Sequence, residues 1–401
     1  MLGWELPPHN SGGLGVACYQ MAKSLSKDED IDIEFIIPYK ADYSNIDFMK
    51  VISASNCSAE DFMQYGNAYD SRNYSYGADS NQISGDLFEQ VKVYEDKIES
   101  ATNGQVYEII HAHDWLTFRA GLKIKMSTGA PLVLHVHATE YDRAGGAYGN
   151  KFVREIEETS FLLADKIVAV SNHTKNVITE QYGIDASKIE VVHNNIEIPQ
   201  QLVDQAQTND YQYLEQLVKD GYKVVSYIGR LTLQKNLVNL LYAAKKVIDY
   251  YPKCIFLIAG SGEQRNELIE LSAELGISKN VIFVGFVRGK RWRDSFKISN
   301  LHALVSISEP FGLTPLESVA FGTPALVSKQ SGVSEVMNNF LKVDFWDIDE
   351  IANQIVLLLE NDSLQHELAR NATAELRKLT WSNSSKSLMQ IYSNLLDRSV
   401  V

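Results

Sequence analysis

The chain carries only three cysteines in 401 residues, Cys18, Cys57 and Cys254, and they are scattered. Their spacing fits neither a disulfide framework nor a cysteine metal site, and it suits a reducing cytoplasm. No stretch reaches the roughly 18 uncharged apolar residues of a membrane span, and the N-terminus lacks a basic region followed by an apolar core. Positive charge is also short: 37 Lys and Arg against 51 Asp and Glu leave a net charge of -14. Such an excess of negative charge argues against nucleic acid as a general partner, although a local basic patch can survive within it. Internal sequence repeats are not evident. These absences predict a cytoplasmic protein without a leader or transmembrane segment.

What is present is ordinary for a globular protein: 45% hydrophobic and 22% charged residues. The length favours two or three domains. Residues 1–3 read as the end of a first strand, because a glycine-rich turn follows at once, so the numbering is expected to begin a few residues inside the natural protein. S-G-G-L-G at 11–15 then feeds an amphipathic helix through Val16, Met21, Ala22 and Leu25. Paired glycines before a helix serve either anion binding or close packing. A strand is predicted over 31–38, then a long polar surface excursion over 42–100 with a short hairpin around 49–52.

From Gln105 apolar runs alternate with helical periodicity. Strands are predicted over 106–111, 131–137, 166–170 and 189–192, with helices over 116–125, 151–164 and 172–181, the last opened by Ser171 as N-cap. A polar crossing containing Pro199 follows, with a helix over 211–218. A second alternation gives strands over 224–228, 255–259, 281–284, 301–307 and 324–327. Its helices fall over 237–250, 264–275, 291–298, up to Phe321, and from Ile348 onward. A last amphipathic segment, 382–396, is expected to cross back to the first domain. The pattern is α/β: two doubly wound, mostly parallel Rossmann-like domains with a cleft between them. The division is 1–195, a linker at 196–222, 223–380, and a C-terminal helix at 381–401.

The most informative stretch is E-P-F-G-L-T-P-L-E at 309–317, placed where a buried strand ends and a helix begins. Open α/β sheets bind ligands at such ends. Thr314, Pro315 and Glu317 fit a capping box, which alone would account for Glu317. The box does not account for Glu309, or for the Phe311-Gly312-Leu313 turn, whose amides would face an anion at the helix N-terminus. G-R-L-T-L-Q-K-N at 229–236 places Arg230 and Lys235 where another helix opens. An arginine fork and a lysine point charge can clamp a pyrophosphate from two sides, or form a solvated basic turn. Gly260-Ser261-Gly262 is a further tight turn at the same sheet end. The pairs His111/His113 and His135/His137 each end an apolar strand, two residues apart and so on one face. With Asp114 they admit a metal reading, set against imidazoles that hydrogen-bond in a cleft.

In their order, S-G-G-L-G, H-A-H-D-W at 111–115, V-H at 136–137, V-V-H-N-N-I-E at 191–197, G-R-L-T-L-Q-K-N and E-P-F-G-L-T-P-L-E resemble retaining glycosyltransferases of the GT-B fold. The resemblance is to the glycosyltransferase family 4 and glycogen/starch synthase group, and it runs from Gly3 to about residue 396. It implies a hexosyltransferase that uses a nucleotide diphosphate sugar as donor and a sugar or polysaccharide, such as an α-glucan, as acceptor. The donor would be held mainly by the C-terminal domain and the acceptor mainly by the N-terminal one, with no cofactor and no metal. Arg230 and Lys235 would hold the diphosphate, Glu317 the ribose hydroxyls, and Glu309 would lie beside the transferred sugar. Amides of Phe311, Gly312, Leu313 and Thr314 would contact sugar and phosphate. Gly12 and Gly13 would let the first loop approach the donor, and His137 would contact a sugar hydroxyl near the reacting carbon. Bacterial glycogen synthases carry K-T-G-G-L at the first loop, whereas here Asn10-Ser11 precede the glycines. The donor nucleobase (UDP, ADP or GDP) therefore stays open. Asn195 replaces a glycine frequent in the family, a change that left-handed backbone tolerates. A nucleotide-sugar epimerase of the same fold and a histidine-based metal hydrolase are the alternatives.

Overall fold

The computed structural model describes residues 1–10, 12–65, 87–198, 202 and 209–398. Ser11, Pro199 and residues 66–86 of the predicted excursion lie outside the described residues. The chain forms two compact units: Met1–Tyr141 with Tyr148–Asn194 and Thr380–Val401, and Asp142–Ala147 with Asn195–Leu379.

In the first unit, strands β1 (Glu34–Ile37) and β2 (Lys50–Ser53) pair in parallel, and β3 (Ile110–His113), β4 (Leu132–Val136), β5 (Lys166–Ala169) and β6 (Ile189–Val191) follow one another in a parallel sheet. Leu2 bridges β1 at Ile36 and β3 at Ala112, so residues 1–3 fill the strand position between them. Trp4, Phe35, Trp115, Phe118 and Phe161 are buried in the core. Leu388, Ile391 and Leu395, spaced to share one face of the Trp381–Arg398 helix, join that core. Ser171 caps the Asn172–Tyr182 helix through the Thr174 amide, as its sequence position predicts.

Two expectations fail here. No hairpin forms at 49–52: β2 runs parallel to β1, with Glu34 opposite Lys50. The excursion also ends in a 16-residue helix, Leu87–Thr102. Leu87, Val91, Tyr94 and Ile98 carry helical periodicity and are buried, and the Tyr94 hydroxyl donates to the Ile36 carbonyl at 2.8 Å. The surrounding polar composition hid that period.

The second unit has a six-stranded parallel sheet in the order β12-β11-β10-β7-β8-β9, formed by Lys223–Ile228 (β7), Cys254–Ala259 (β8), Val281–Gly285 (β9), Leu301–Leu304 (β10), Ala325–Ser328 (β11) and Leu341–Val343 (β12). Counted within the unit this is 3-2-1-4-5-6 read from the other edge, the Rossmann order, and its winding reverses between β7 and β10. The helix at Leu237–Tyr250 has the bounds its periodicity predicts. Strand β10 is three residues shorter than the predicted 301–307. Residues 305–308 are apolar or small, but their backbone is bonded by the loop after β7: Gln234 donates to the Ser308 carbonyl and Asn236 to the Val305 carbonyl. Asp142–Ala147, placed by the sequence division in the first domain, belongs to this unit, where the Ser308 hydroxyl donates to the Asp142 carboxylate at 2.5 Å.

Candidate active site

The reversal between β7 and β10 brings together two loops, 229–236 and 305–312. The first of them also packs on the loop after β8, and that backbone approach is glycine-dependent. A Cβ on Gly260 would lie 1.7 Å from the Gly229 carbonyl oxygen, and one on Gly262 would lie 2.3 Å from that of Leu231. The Gly260-Ser261-Gly262 turn thus lets the loop after β8 support the Arg230 loop, with the Leu231 amide bonded to the Ser261 carbonyl at 2.9 Å. Asn236, in left-handed backbone geometry at φ 58°, turns the chain into the following helix.

Within these loops Lys235 Nζ lies 2.5 Å from Glu309 Oε2, both side chains nearly buried, at 12% and 9% exposure. The same carboxylate oxygen accepts from Ser306 Oγ at 2.8 Å. Burial lowers the Lys235 pKa, and Glu309 opposes that shift by stabilising the ammonium. Arg230 adds a second cation close enough to depress the Lys235 pKa further, and its guanidinium reaches Gln234 Oε1 at 3.4 Å. Asp142 acts on Lys235 in the opposite sense.

The 309–317 stretch departs from the capping box. The helix begins at Leu313, its N-cap is Gly312 at φ 96°, and no side chain caps it. Thr314 Oγ1 instead meets His302 Nε2 at 3.2 Å, and Glu317 Oε2 accepts from Trp292 Nε1 at 3.2 Å. Gly312 takes the cap because its backbone is left-handed, and a Cβ there would press on Glu309 Cγ and Leu304 Cδ2 at 3.3 Å each. Burial pushes the Glu317 carboxyl up to about 7, with the Trp292 bond pulling the other way. Phe311 is buried, and Leu313, Thr314 and Glu317 are half-buried. One unit therefore collects Arg230, Lys235, Glu309, Phe311, Gly312, Leu313, Thr314 and Glu317.

The remaining candidates, Gly12, Gly13 and His137, lie in the first unit. Gly12 is the extended N-cap of the Gly13–Leu25 helix, and a Cβ on it would meet nothing within 4 Å. Gly15 is the sterically required glycine: its Cβ would fall 3.0 Å from Glu5, whose buried carboxylate accepts the Gly15 amide at 3.3 Å. His137 is held from three sides. Its amide donates to Asp114 Oδ1 at 2.6 Å, its Nε2 is 3.1 Å from His113 Nδ1, and its Nδ1 is 3.5 Å from Asn194 Nδ2. Burial pushes the His137 imidazole down to about 3, so the ring is neutral near pH 7. His111, His113 and His135 are displaced in the same direction, by burial first and by their fellow imidazoles second.

Sequence reasoning missed Glu5, Asp142, Trp292 and His302 as neighbours of these groups. No local motif marks them: Glu5, His302 and Trp292 act across 10, 12 and 25 residues and Asp142 across 166, spacings that follow from the fold and not from helix or strand periodicity. Asn194 does stand inside the V-V-H-N-N-I-E motif, and its place beside His137 gives that motif a physical reason.

Two family models match in succession: Glycosyltransferase Family 4 over residues 98–198 and Glycosyl transferases group 1 over residues 212–375. The chain is a glycosyltransferase with the GT-B fold. Among curated relatives, an uncharacterized glycosyltransferase of Methanocaldococcus jannaschii is 26% identical, covering 98% of this chain and 97% of its own length. The glycogen synthase of Mycobacterium tuberculosis is 24% identical, covering 98% of this chain and 93% of its own. The HepE structure from Anabaena, solved in complex with UDP and glucose, shares the fold at TM-score 0.69 and 18% identity, with 98% of both chains covered. Among the described residues no helix is long and apolar enough to cross a membrane.

Proposed function

We propose that this glycosyltransferase is a retaining, metal-independent enzyme that moves a hexosyl group, glucose in the first instance, from a nucleotide diphosphate sugar to a sugar or α-glucan acceptor. The observation that carries the reading is the buried Lys235–Glu309 pair beside Arg230, at the point where the sheet reverses. The glycogen synthase relative supports a glucosyl donor and an α-glucan acceptor, and the UDP and glucose bound by HepE support a nucleotide-linked glucose.

Departure of the sugar places positive charge on the anomeric carbon and negative charge on the leaving diphosphate. Arg230 and Lys235 would meet that negative charge with fixed cations in a nearly water-free site, favouring the transition state over the ground state. A diphosphate arriving there shares Lys235 with Glu309, and Glu309 is then left to face the developing positive charge of the sugar. Its role is electrostatic and positional. Amides of Phe311 to Thr314 at the open helix N-terminus would take sugar and phosphate oxygens. Glu317, ionised above about pH 7, would accept the ribose hydroxyls. Gly12 and Gly13 would allow close backbone approach to the donor. Neutral His137, with its ring set by His113 and Asn194, would bond a sugar hydroxyl near the reacting carbon.

The test is a donor panel of UDP-, ADP- and GDP-sugars with and without a malto-oligosaccharide, followed by NMR of the new linkage. Nucleoside diphosphate released only with acceptor, and an α-linkage formed from an α-linked donor, is the expected result. An isomerised sugar nucleotide with no transfer would replace this reading by an epimerase.

A further inference from the structure

Of the four histidines at the ends of β3 and β4, the proposed sugar transfer uses His137 alone, and only as a hydrogen-bonding group. We propose that Cys18, His113 and His137 form a binding site for a soft divalent transition ion, zinc in the first instance, with the ion taking the place of the proton shared between the two imidazoles.

A Cys18 sulfur and one nitrogen from each histidine all lie within 4.8 Å of one another. His113 Nδ1 and His137 Nε2 are 3.1 Å apart. Two imidazole nitrogens on a tetrahedral zinc, each about 2.0–2.1 Å from it, stand about 3.3 Å apart. The nitrogen separation is therefore already close to that of a ligating pair, and modest rotations of the two rings would turn their lone pairs from each other towards a shared ion. A sulfur about 2.3 Å from the same ion lies about 3.6 Å from each nitrogen, so a sulfur held within 4.8 Å has to close by about 1.2 Å at most.

The hydrogen-bond pattern points the same way. Asn194 Nδ2 donating to His137 Nδ1 requires the proton of that ring on Nε2, where it is given to His113 Nδ1. This leaves His113 Nε2 and Asn194 Oδ1 as buried atoms without hydrogen-bond partners. Coordination through His137 Nε2 moves the ring proton to Nδ1. Rotating the Asn194 amide by 180° then presents Oδ1 to that proton in place of Nδ2, so the contact between the two side chains is kept. A ligating imidazole whose other nitrogen donates to an oxygen is the usual outer arrangement of a metal histidine.

The electrostatics suit a cation. The carboxylates of Asp114 and Glu5 both bear on the Cys18 thiol, which burial already holds protonated. Negative charge that discourages a lone thiolate favours a divalent ion arriving with it. Binding turns the thiol into a thiolate and releases one proton to solvent, while both imidazoles stay neutral overall. Cys18 and His113 are fully buried and His137 is half-buried, so His137 supplies the route of entry and a fourth, open position. Cysteine with two histidines selects zinc or cobalt over magnesium or calcium.

If His137 touches the donor sugar, as the proposed function has it, an occupied site removes its Nε2 from that task, and the ion is an inhibitor. Binding itself does not depend on that reading.

The experiment is a cobalt titration of the full-length protein, read by absorption. A sulfur-to-cobalt charge-transfer band with tetrahedral d–d bands, lost on adding zinc, is expected from the wild type and from Cys57→Ser, whose thiol is exposed. Cys18→Ser should lose the charge-transfer band, and His113→Gln should bind more weakly by at least the roughly 10- to 100-fold that loss of an outer-shell partner alone costs. Should Cys18→Ser not fold, zinc must slow alkylation of Cys18 in the wild type, mapped by mass spectrometry. No charge-transfer band in the wild type, a band that survives loss of Cys18, or alkylation indifferent to zinc overturns the site. Zinc inhibition of transfer, relieved in Cys18→Ser, is the separate arm that tests the link to His137. Cobalt binding without inhibition refutes that link and leaves the site standing.

Discussion

Two clusters of polar side chains sit at strand ends in this protein, and they solve opposite electrostatic problems. Between β7 and β10 the groups are ionic: Lys235 is held against Glu309 with Arg230 beside it. At the ends of β3 and β4 they are four imidazoles, each kept neutral by burial. The first environment suits a ligand whose charge changes during reaction. The second suits recognition of hydroxyls, because a neutral ring donates and accepts without attracting counter-ions. Construction differs as well. The ionic cluster depends on the loop after β7, whose backbone is buttressed at Cβ-free contact by the Gly260-Ser261-Gly262 turn of the loop after β8, whereas the histidines follow from strand register, with His113 opposite His135.

The contrast can be broken in order of expected effect. Gly260→Ala drives a Cβ into the Gly229 carbonyl and should cost more than about 4 kcal/mol, seen as a collapse of the thermal transition. A melting curve like that of the wild type would show that the loops do not need this approach. Lys235→Ala should lower kcat by about 10²- to 10³-fold, or about 2.7–4 kcal/mol, if its charge meets the leaving group. Steady-state rates at saturating donor decide this, and an unchanged kcat would remove the charged cluster from the chemistry. His137→Asn should cost about tenfold in kcat/KM, the scale of one neutral hydrogen bond. Because the His137 pKa lies near 3, the wild-type rate should carry no histidine limb between about pH 5 and 8.

Glu317→Gln should have the smallest effect, a rise of a few fold in donor KM. The pH dependence is its sharper signature. The Glu317 pKa is raised from 4.5 to about 7, so wild-type donor affinity should improve as pH rises through 7, and the variant should lose that limb. The stability consequence has the opposite slope. The folded state binds the proton more tightly than the unfolded state, so Glu317 makes the fold less stable as pH climbs from 4.5 towards 7. Melting temperatures of Glu317→Gln should decline less over that interval.

Much of this was legible in sequence because buried parallel strands read as apolar runs and their ends carry the motifs. Arg230, Lys235 and Glu309 were each visible locally, and the Rossmann order accounts for their meeting. The failures have physical causes. Thr314 looked like an N-cap until the left-handed backbone of Gly312 moved the cap two residues back and freed the hydroxyl for His302. Residues 305–307 looked like strand because they are apolar or small, yet the carbonyls of Val305 and of Ser308 just after them are taken by the side chains of Asn236 and Gln234. Asp142 and Trp292 reach their partners across 166 and 25 residues, respectively, a distance no local pattern spans.

The grouping of Asp142–Ala147 with the second unit, and of Thr380–Val401 with the first, bears on how the enzyme can be taken apart. Neither unit is one continuous stretch of polypeptide. A fragment covering only 196–379 would lack the carboxylate that receives the Ser308 hydroxyl, and one covering only 1–194 would lack Leu388, Ile391 and Leu395 from its core. Faithful isolated halves would need the missing pieces grafted back, the first through a linker from 194 to 380 and the second through a fusion of 142–147.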